Sequence, residues 1–349
     1  MRALVYHGSG QRSWDQVPDP GIQDDFDAIV GIDAVTICGT DLHILKGDVP
    51  EVEAGRVLGH EAVGTVEAVG SAVRSVQPGD RVLISCINGC GTCPPCREGR
   101  YGQCRSGGGW VLGHLIDGVQ AEYARVPYAD LSLHRLPATV SDEAAVMLAD
   151  ILPTSYEVGV LAGGVRPGDT VVIVGAGPIG LAAVMTAQLY SPSHIVVVDP
   201  VTSRLDAAKS LGADIVVRNG DGGEDPIGLV TDITGGLGAD VVIEAVGVPQ
   251  TFELCTEMVR AGGHVANVGV HGAPATLHLE KLWIKDVTIT TGLVDTSSTP
   301  RLLGLVAAHQ LDPAALVTQT FPLDQMMAAY DAFSTAATTG ALKVLCTKQ

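Results

Sequence analysis

The sequence has few aromatic residues and few basic ones. Only 4% of its 349 residues are Phe, Trp or Tyr although 46% are hydrophobic, so the core must be built from Val, Ala, Leu and Ile. Its 21 Lys and Arg residues stand against 39 Asp and Glu, which gives a formal net charge of −18. Such a charge repels nucleic-acid phosphates and acidic membrane surfaces. We therefore expect neither a nucleic-acid partner nor a membrane partner.

Long uninterrupted hydrophobic runs are also missing. The longest apolar stretch, TVVIVGAGPIGLAAVM, is broken by three glycines and a proline. A membrane-spanning helix needs about 20 apolar residues in succession. The first residues lack the apolar run of an export signal. We therefore expect a cytoplasmic location, where thiols stay reduced.

The chain divides into regions with different patterns. Residues 1–153 carry short strand-like segments between Gly, Pro and Asp turns, which is typical of an irregular antiparallel β-domain. Residues 154–292 alternate Val/Ile-rich strands with helices, which indicates a parallel sheet covered on both faces. Residues 293–349 contain a polar turn, a helix and a strand that either extend the second domain or return to the first. The predicted fold class is α/β.

A glycine-rich turn lies between a predicted strand and a predicted helix. The segment VVIVGAGPIG places Gly175, Gly177 and Gly180 in G-x-G-x-x-G spacing. These glycines permit a tight turn, a close approach of pyrophosphate to the backbone, and close packing of helix on strand. Asp199 ends the next strand, where it can accept hydrogen bonds from both adenosine ribose hydroxyls and repel a 2′-phosphate. An unrelated glycine turn is the alternative, but strand, helix and distal acid together predict a doubly wound Rossmann domain that binds NAD(H).

Other residues are expected to contact this cofactor. Arg204 follows Asp199 by five positions and could serve a ribose hydroxyl or, as the weaker alternative, a phosphate. The remaining predicted contacts, two in the loop and two later in the chain, are Pro178, Ile179, Val268 and Leu293.

Four of the eight cysteines lie within fifteen residues. Cys90, Cys93, Cys96 and Cys104 form the pattern C-x2-C-x2-C-x7-C. In a reduced compartment this spacing favours tetrahedral ligation of one Zn²⁺. An iron–sulfur cluster is disfavoured because the fourth spacing and the following proline of the ferredoxin pattern are missing, and a disulfide knot is disfavoured by the compartment. Four thiolates leave no open position, so we expect a structural zinc and look elsewhere for the chemistry.

Ligands for an open metal site occur earlier in the chain. Two segments, TICGTDLHI and LGHEAVGTVEAVG, contain Cys38, Thr40, Asp41, His43, His60 and Glu61. A Cys, a His and an exchangeable water can make a Lewis-acidic zinc site. Taken singly, such a cysteine or histidine is more often an ordinary core residue. Their combination with a nicotinamide domain favours a metal.

The sequence resembles the zinc-dependent medium-chain alcohol dehydrogenases. Residues 59–73, GHEAVGTVEAVGSAV, match the zinc signature of that family, with Gly64, Gly70 and Val73 in place. The cysteine segment and the glycine loop follow in the family's order and at its distances, over essentially the whole chain. The resemblance implies a Rossmann NAD-binding domain at 154–292 and a GroES-like catalytic domain at 1–153, with a zinc lobe at 86–106 and completed by 293–349.

The resemblance also implies a catalytic metal site. Cys38, His60 and Asp150 would bind the catalytic zinc, with Glu61 as a transient ligand during water exchange. Together with the structural zinc, each subunit would hold two Zn²⁺. Zinc would act as a Lewis acid that lowers the pKa of the alcohol, while hydride passes between substrate and NAD(H). Asp41 would orient a ligand.

A proton relay and a pocket follow from the same resemblance. Thr40 and His43 stand at +2 and +5 from Cys38, as in the family's relay, and would carry the proton away. Thr154 would back the nicotinamide ring and Trp110 would line the substrate pocket. Two further residues, Cys86 and Leu293, fit pocket lining or generic core.

The resemblance is strongest to the bacterial secondary-alcohol dehydrogenases, through Asp150, Trp110 and the segments FDAIV and LGHEAVG. NADP-dependent members of that branch have glycine at the position of Asp199 and lack the four-cysteine lobe. We therefore expect NAD(H) as the cofactor and a secondary alcohol, or the corresponding ketone, as the substrate. The resemblance also implies a homotetramer, with a homodimer as the alternative.

Other functions share part of this pattern. Polyol, threonine and formaldehyde dehydrogenases of the same family have every motif named here. A zinc-free quinone or enoyl reductase is disfavoured by Cys38, His60 and Asp150 together. A zinc-ribbon interaction module is disfavoured by the charge and by the complete nucleotide domain.

Overall fold

A computed structural model describes residues 1–348. The chain forms two compact units, one of Met1–Pro153 together with the segment that begins at Val294, and one of Thr154–Leu293. In the described part of the chain, every helix is too short or too polar to span a bilayer.

The strands, in chain order, are β1 (Arg2–Gly8), β2 (Gln11–Gln16), β3 (Ala28–Thr36), β4 (Ala62–Val69), β5 (Arg81–Ile84), β6 (Tyr123–Val126), β7 (Leu133–Arg135), β8 (Thr170–Val174), β9 (His194–Asp199), β10 (Ile215–Arg218), β11 (Ala239–Glu244), β12 (Val259–Asn267), β13 (Thr288–Thr291), β14 (Val317–Pro322) and β15 (Lys343–Thr347).

The α-helices are α1 (Gly39–Lys46), α2 (Pro94–Arg97), α3 (Ala129–Ser132), α4 (Asp142–Val146), α5 (Ile151–Thr154), α6 (Pro178–Ala187), α7 (Thr202–Ser210), α8 (Pro226–Ile233), α9 (Pro249–Met258), α10 (Leu279–Leu282), α11 (Thr299–Ala307), α12 (Met326–Ser334) and α13 (Ala336–Thr339). Short 3₁₀ turns occupy Tyr101–Gln103, Gln188–Tyr190, Pro313–Leu316 and Leu323–Gln325, and a π-helical segment occupies Ser155–Leu161.

The first unit is a β-structure with helices at its margins. Strands β1 and β2 form a hairpin, and a seven-stranded sheet runs β14-β15-β3-β4-β5-β7 with β6 also paired to β3. The central strand β3 is almost wholly buried because both of its faces are covered. Its antiparallel pairing with β15, through Leu345 and Thr36, ties the late segment into this sheet. Residues after 294 therefore return to the first unit instead of extending the second.

The second unit is a six-stranded sheet in the order β10-β9-β8-β11-β12-β13. Every neighbouring pair is parallel. This is the 3-2-1-4-5-6 order of dinucleotide-binding folds, in which ligands bind at the carboxyl ends of the strands where the order reverses. The continuous Val/Ile composition of β8 follows from its complete burial between two layers. The predicted α/β class with a parallel Rossmann sheet is confirmed.

Candidate functional site

Cys38 lies where β3 gives way to helix α1. Its backbone N–H donates to Asp41 Oδ2 at 2.9 Å, so a residue in the first turn of the helix holds the residue before it. In return, the Asp41 N–H donates to the Cys38 carbonyl at 3.1 Å. The two hydrogen bonds fix the backbone from which the Cys38 thiol projects. Thr40, in the same turn, has its Oγ1 3.7 Å from Cys38 Sγ.

Cys38, His60 and Asp150 converge although more than a hundred residues separate the first from the last. Asp150 Oδ2 lies 3.6 Å from Cys38 Sγ and 3.4 Å from His60 Nε2. Zinc bonds of about 2.0–2.3 Å in a tetrahedron place neighbouring ligand atoms about 3.5 Å apart. The ligand atoms of these three residues and Glu61 all lie within 4.8 Å of one another. The donor types and their spacing therefore fit a zinc ion.

Electrostatics support the same conclusion. Burial, followed by the neighbouring Glu61 carboxylate, raises the pKa of the Cys38 thiol. Burial also raises the pKa of Asp41. Burial lowers the pKa of His60, but hydrogen bonds to Asp150 and Cys38 outweigh it and raise that pKa well above its usual value. Because a divalent cation stabilises deprotonated thiols and carboxylates at close range, it would reverse this protonation.

Glu61 is fully buried beside this cluster and pairs with a lysine. Its Oε2 accepts a hydrogen bond from Thr36 Oγ1 at 2.6 Å and forms a short ion pair with Lys343 Nζ. Lys343 is itself 1% exposed and also donates to the Ile37 carbonyl at 3.2 Å. Glu61 Oε1 has no hydrogen-bond partner among the described residues. The role of Lys343 is not evident from the sequence, where its only signal is a lysine inside the apolar strand ALKVLCT.

Aromatic rings border the histidine. Trp110 meets the edge of His60 with ring centroids 6.3 Å apart and an interplanar angle of 77°. The Trp110 ring also stacks on His114, which the sequence analysis did not name, at 4.1 Å. Cys86 is buried, and burial followed by the nearby Asp150 raises its thiol pKa well above the usual value. Trp110 and Cys86 thus both border the cluster.

His43 lies one helical turn beyond Thr40, toward the surface. Its Nδ1 is 2.8 Å from Asp48 Oδ2, and its side chain is 41% exposed. Thr40 is half-buried and close to Cys38, so the two predicted relay residues occupy an inner and an outer position on one helix.

The four clustered cysteines form a second set of ligands. The sulfur atoms of Cys90 and Cys96 are 3.8 Å apart, and those of Cys93 and Cys104 are 4.0 Å apart. Zn–S bonds of about 2.3 Å predict tetrahedral S···S distances of about 3.8 Å. Burial opposes thiolate formation at Cys90, but hydrogen bonds led by that from Thr92 lower its pKa to about 5. The geometry fits a closed four-thiolate zinc site.

The glycine loop has the geometry that a dinucleotide requires. Gly175 has φ +101°, and a Cβ there would lie 2.6 Å from Val246 Cγ2. A Cβ on Gly180 would lie 1.8 Å from the Gly175 carbonyl oxygen, so helix α6 packs directly on the turn. Gly177 has no atom within 4 Å of the position of a Cβ, which leaves space for a phosphate.

Asp199 ends β9 and is buried beneath this loop. Its Oδ2 accepts the N–H of Ala176 and its Oδ1 accepts the N–H of Val201, both at 2.8 Å. The nearest Arg204 guanidinium nitrogen is 4.0 Å away. The carboxylate therefore organises the loop, a role that sequence analysis did not assign to it, and each oxygen retains a lone pair.

Other predicted cofactor residues follow the carboxyl ends of strands in the parallel sheet or lie at the margins of the second unit. Pro178 and Ile179 form the first turn of α6, where Ser155 Oγ donates to the Ile179 carbonyl at 2.7 Å. Val268 follows β12 and donates its N–H to the Glu244 carbonyl at 2.8 Å. The two residues at the margins of the second unit are Thr154, its first residue, and Leu293, its last, which is 45% exposed.

Two family models match the chain. Residues 24–138 match the alcohol dehydrogenase GroES-like domain, and residues 178–308 match the zinc-binding dehydrogenase domain.

Known proteins resemble the chain over nearly its whole length. An alcohol dehydrogenase of Cupriavidus necator is 36% identical over 96% of this chain and 95% of its own. An NADP-dependent isopropanol dehydrogenase of Thermoanaerobacter brockii is 36% identical over 92% of both chains. The solved zinc-dependent alcohol dehydrogenase 2 from Streptococcus pneumonia is 48% identical, superposes with a TM-score of 0.96, and is matched over 99% of its chain and all of this one.

Proposed function

We propose that Cys38, His60 and Asp150 bind the catalytic zinc of this chain, which belongs to the zinc-dependent alcohol dehydrogenase family. The predicted family and the alcohol/ketone oxidoreductase function are confirmed by the relatives. The convergence of three donor atoms at tetrahedral spacing carries the proposal for the metal. Cys90, Cys93, Cys96 and Cys104 are proposed as the ligands of a second, structural zinc.

The residues around the site divide the work of the reaction. When bound, zinc supplies Lewis acidity that lowers the pKa of an alcohol, and NAD(H) supplies the hydride chemistry. Thr40 accepts the proton from the substrate hydroxyl as it gives up its own hydroxyl proton, and His43, at the outer position on α1, delivers the relayed proton to solvent. Asp41 orients the Cys38 segment through the backbone hydrogen bond described above. Glu61, held by Lys343, serves as the transient metal ligand.

We infer that the cofactor is NAD(H) rather than NADP(H). Asp199 supports this because its buried carboxylate lies under the glycine loop at the end of β9, where a 2′-phosphate would meet a negative charge. Thr154, Val268, Leu293 and the loop residues Pro178 and Ile179 are proposed to contact the cofactor. Arg204 is proposed to serve a ribose hydroxyl.

A secondary alcohol is the proposed substrate. Asp150 as a ligand and Trp110 beside His60 support it, as does the similarity to the isopropanol dehydrogenase of T. brockii. A panel of 2-propanol, ethanol, 2,3-butanediol, threonine and hydroxymethylglutathione, each with NAD⁺ and NADP⁺, tests substrate and cofactor together. The largest kcat/KM should belong to 2-propanol with NAD⁺. A larger value for a diol, threonine or the glutathione adduct would move the chain to one of the alternative functions.

The metal assignment has its own test. Cys38→Ala should reduce bound zinc from two to one per chain and abolish turnover. Cys255→Ala is the matched control, because Cys255 is a fully buried thiol of the second unit and belongs to neither set of ligands. Turnover that survives Cys38→Ala with zinc still at two per chain would refute the site.

We also propose self-association and a cytoplasmic location. The segment before β13 exposes apolar side chains, among them Leu279 (62%), Trp283 (73%) and Ile284 (68%). Strand β13 lies at one edge of the parallel sheet. Exposed apolar surface beside a free strand edge favours pairing with a second copy, and a tetramer is the state we expect. Trp283→Lys should shift the mass in light scattering toward the monomer. The cluster of thiols at Cys90, Cys93, Cys96 and Cys104, placed to hold a metal, supports a reducing compartment.

A further inference from the structure

A buried hydrogen-bonded chain links helix α12 to the proposed catalytic cluster. Gln120 is wholly buried; its Nε2 donates to Asp41 Oδ2 at 3.0 Å and to the Thr36 carbonyl at 3.3 Å. Its Oε1 accepts a hydrogen bond from the hydroxyl of Tyr330 at 2.8 Å. Tyr330 lies on α12, 210 residues later in the chain, and is also wholly buried.

Gln120 contacts two of the three segments that carry the proposed ligands. Through Asp41 it supports the cap that holds the Cys38 backbone. Asp41 Oδ1 also lies 3.9 Å from His60 Nδ1, so the rotation of this carboxylate affects the histidine. On the other segment, the Gln120 N–H donates to the Leu58 carbonyl at 2.9 Å. A Cβ on Gly59 would lie 2.4 Å from Gln120 Cγ, so the amide stem packs tightly against the residue before His60.

The orientation of the Gln120 amide is determined by its partners. The NH₂ group faces two acceptors, the Asp41 carboxylate and the Thr36 carbonyl. A flipped amide would turn its oxygen toward both of them and lose two hydrogen bonds. Tyr330 stabilises the observed orientation because its hydroxyl donates to the amide oxygen. Burial raises the pKa of Tyr330 well above its usual value, so this hydroxyl remains a donor.

Tyr330 is held in turn from the surface side. The Arg12 guanidinium lies 4.9 Å from the centre of the tyrosine ring. The same guanidinium donates to Asp331, the next residue of α12, at 2.8 Å. The Tyr330 ring is therefore covered on one face by Arg12, which is itself bonded to the next residue of α12, and this contact holds the hydroxyl as a donor for Gln120.

We propose that Gln120 is a positioning residue for the catalytic metal cluster and that Tyr330 sets the orientation of its amide. The inference rests on the proposed zinc site of Cys38, His60 and Asp150. The effect of Gln120 passes through Asp41 to Cys38 and His60, in the manner of residues that orient metal ligands.

Two variants of the zinc-loaded enzyme test the proposal. Gln120→Met keeps the volume of the side chain but removes its three hydrogen bonds, and Tyr330→Phe removes only the hydroxyl. Tyr6→Phe is the matched control, since Tyr6 is a buried tyrosine of the same core but lies outside this chain of hydrogen bonds. We expect kcat with 2-propanol to fall about 10-fold or more in Gln120→Met and less in Tyr330→Phe, because residues that orient metal ligands contribute 10–100-fold.

Zinc release supplies a readout that does not depend on turnover. With 4-(2-pyridylazo)resorcinol as chelator, the catalytic zinc should leave Gln120→Met about 10-fold faster than wild type, while the second zinc leaves at an unchanged rate. In the Gln120→Met background, Tyr330→Phe should add no further loss, because the hydroxyl acts through the amide.

The results distinguish failure of the Gln120 proposal from failure of the proposed zinc site. Suppose that Cys38→Ala holds one zinc fewer than wild type, but that Gln120→Met releases zinc and turns over at the wild-type rate. Gln120 then has only a structural role, and the proposal is overturned. A lower unfolding temperature with unchanged kcat and zinc release would have the same meaning. If Cys38→Ala removes no zinc, the proposed metal site fails first.

Discussion

Replacing Lys343 by Met should destabilise the first unit by about 3 kcal/mol. The lysine and its partner Glu61 are each 1% exposed, and removal of one member of a buried ion pair costs about 3–5 kcal/mol. Thr36 still donates to the same carboxylate oxygen in the variant, which favours the lower end of this range. Methionine preserves the apolar stem, so the loss reports the unpaired charge instead of a cavity.

The direction of the pKa shift of Lys343 determines the pH at which unfolding reports the intact ion pair. Burial lowers the pKa of Lys343, but Glu61, Cys38 and Asp150 together outweigh burial and raise it. A raised pKa means that the stabilisation is complete below the ordinary value of 10.5 and is lost only as the pH rises through the folded-state value. Urea unfolding at pH 7.5 therefore measures the intact pair.

Intrinsic fluorescence is a suitable probe, because Trp14 and Trp110 lie in the first unit and Trp283 in the second. Lys348→Met, the same change at an exposed residue just beyond the same strand, should alter stability by less than about 0.5 kcal/mol. Adding Glu61→Gln to Lys343→Met should restore part of the loss by removing the orphaned charge. A loss below about 1 kcal/mol for Lys343→Met, or no recovery in the double variant, would refute the reasoning.

Three further predictions concern the structural zinc, the proton relay and the cofactor. Cys96→Ser should remove one zinc per chain and loosen the lobe in limited proteolysis, while the catalytic zinc stays; loss of the catalytic zinc instead would contradict the assignment. His43→Gln should lower kcat mainly at low pH, and an unchanged pH–rate profile would remove His43 from the relay. Asp199→Asn should raise KM for NAD⁺ about 10-fold, in line with a lost charge-assisted hydrogen bond, and narrow the preference over NADP⁺; equal KM values in wild type and variant would contradict its role.

The parallel sheet could be predicted because its strands are buried on both faces. Strands such as β8 and β9 must then be continuous runs of Val and Ile, a pattern visible without any long-range information. The destination of the late segment could not be predicted from the residues alone. Its β15 pairs with β3 across some 300 residues, and a strand's pattern does not identify its partner.

The candidate site was predictable to the extent that residue type limits chemistry. Cys38 and His60 are rare ligand types in short, glycine-flanked segments, whereas Asp150 acquired a role only through the family resemblance. Lys343, Gln120 and Tyr330 acquire theirs from tertiary contacts. A lysine in a strand or a glutamine before β6 has no distinctive spacing, and burial converts each from an ordinary polar residue into one that must have a partner.

The two sets of metal ligands differ in what the protein must supply around them. The four clustered cysteines come from one short segment, and nearby N–H and hydroxyl groups donate to the sulfurs of Cys90 and Cys93, so the chain satisfies these two locally. At Cys38, Asp41, Glu61 and Asp150 four acidic groups face one buried lysine. A divalent cation brings that balance to within one charge. The same burial that makes the site reactive therefore makes the cation part of the stability of the first unit, and removal of the catalytic zinc from the wild-type chain should lower the unfolding temperature of that unit.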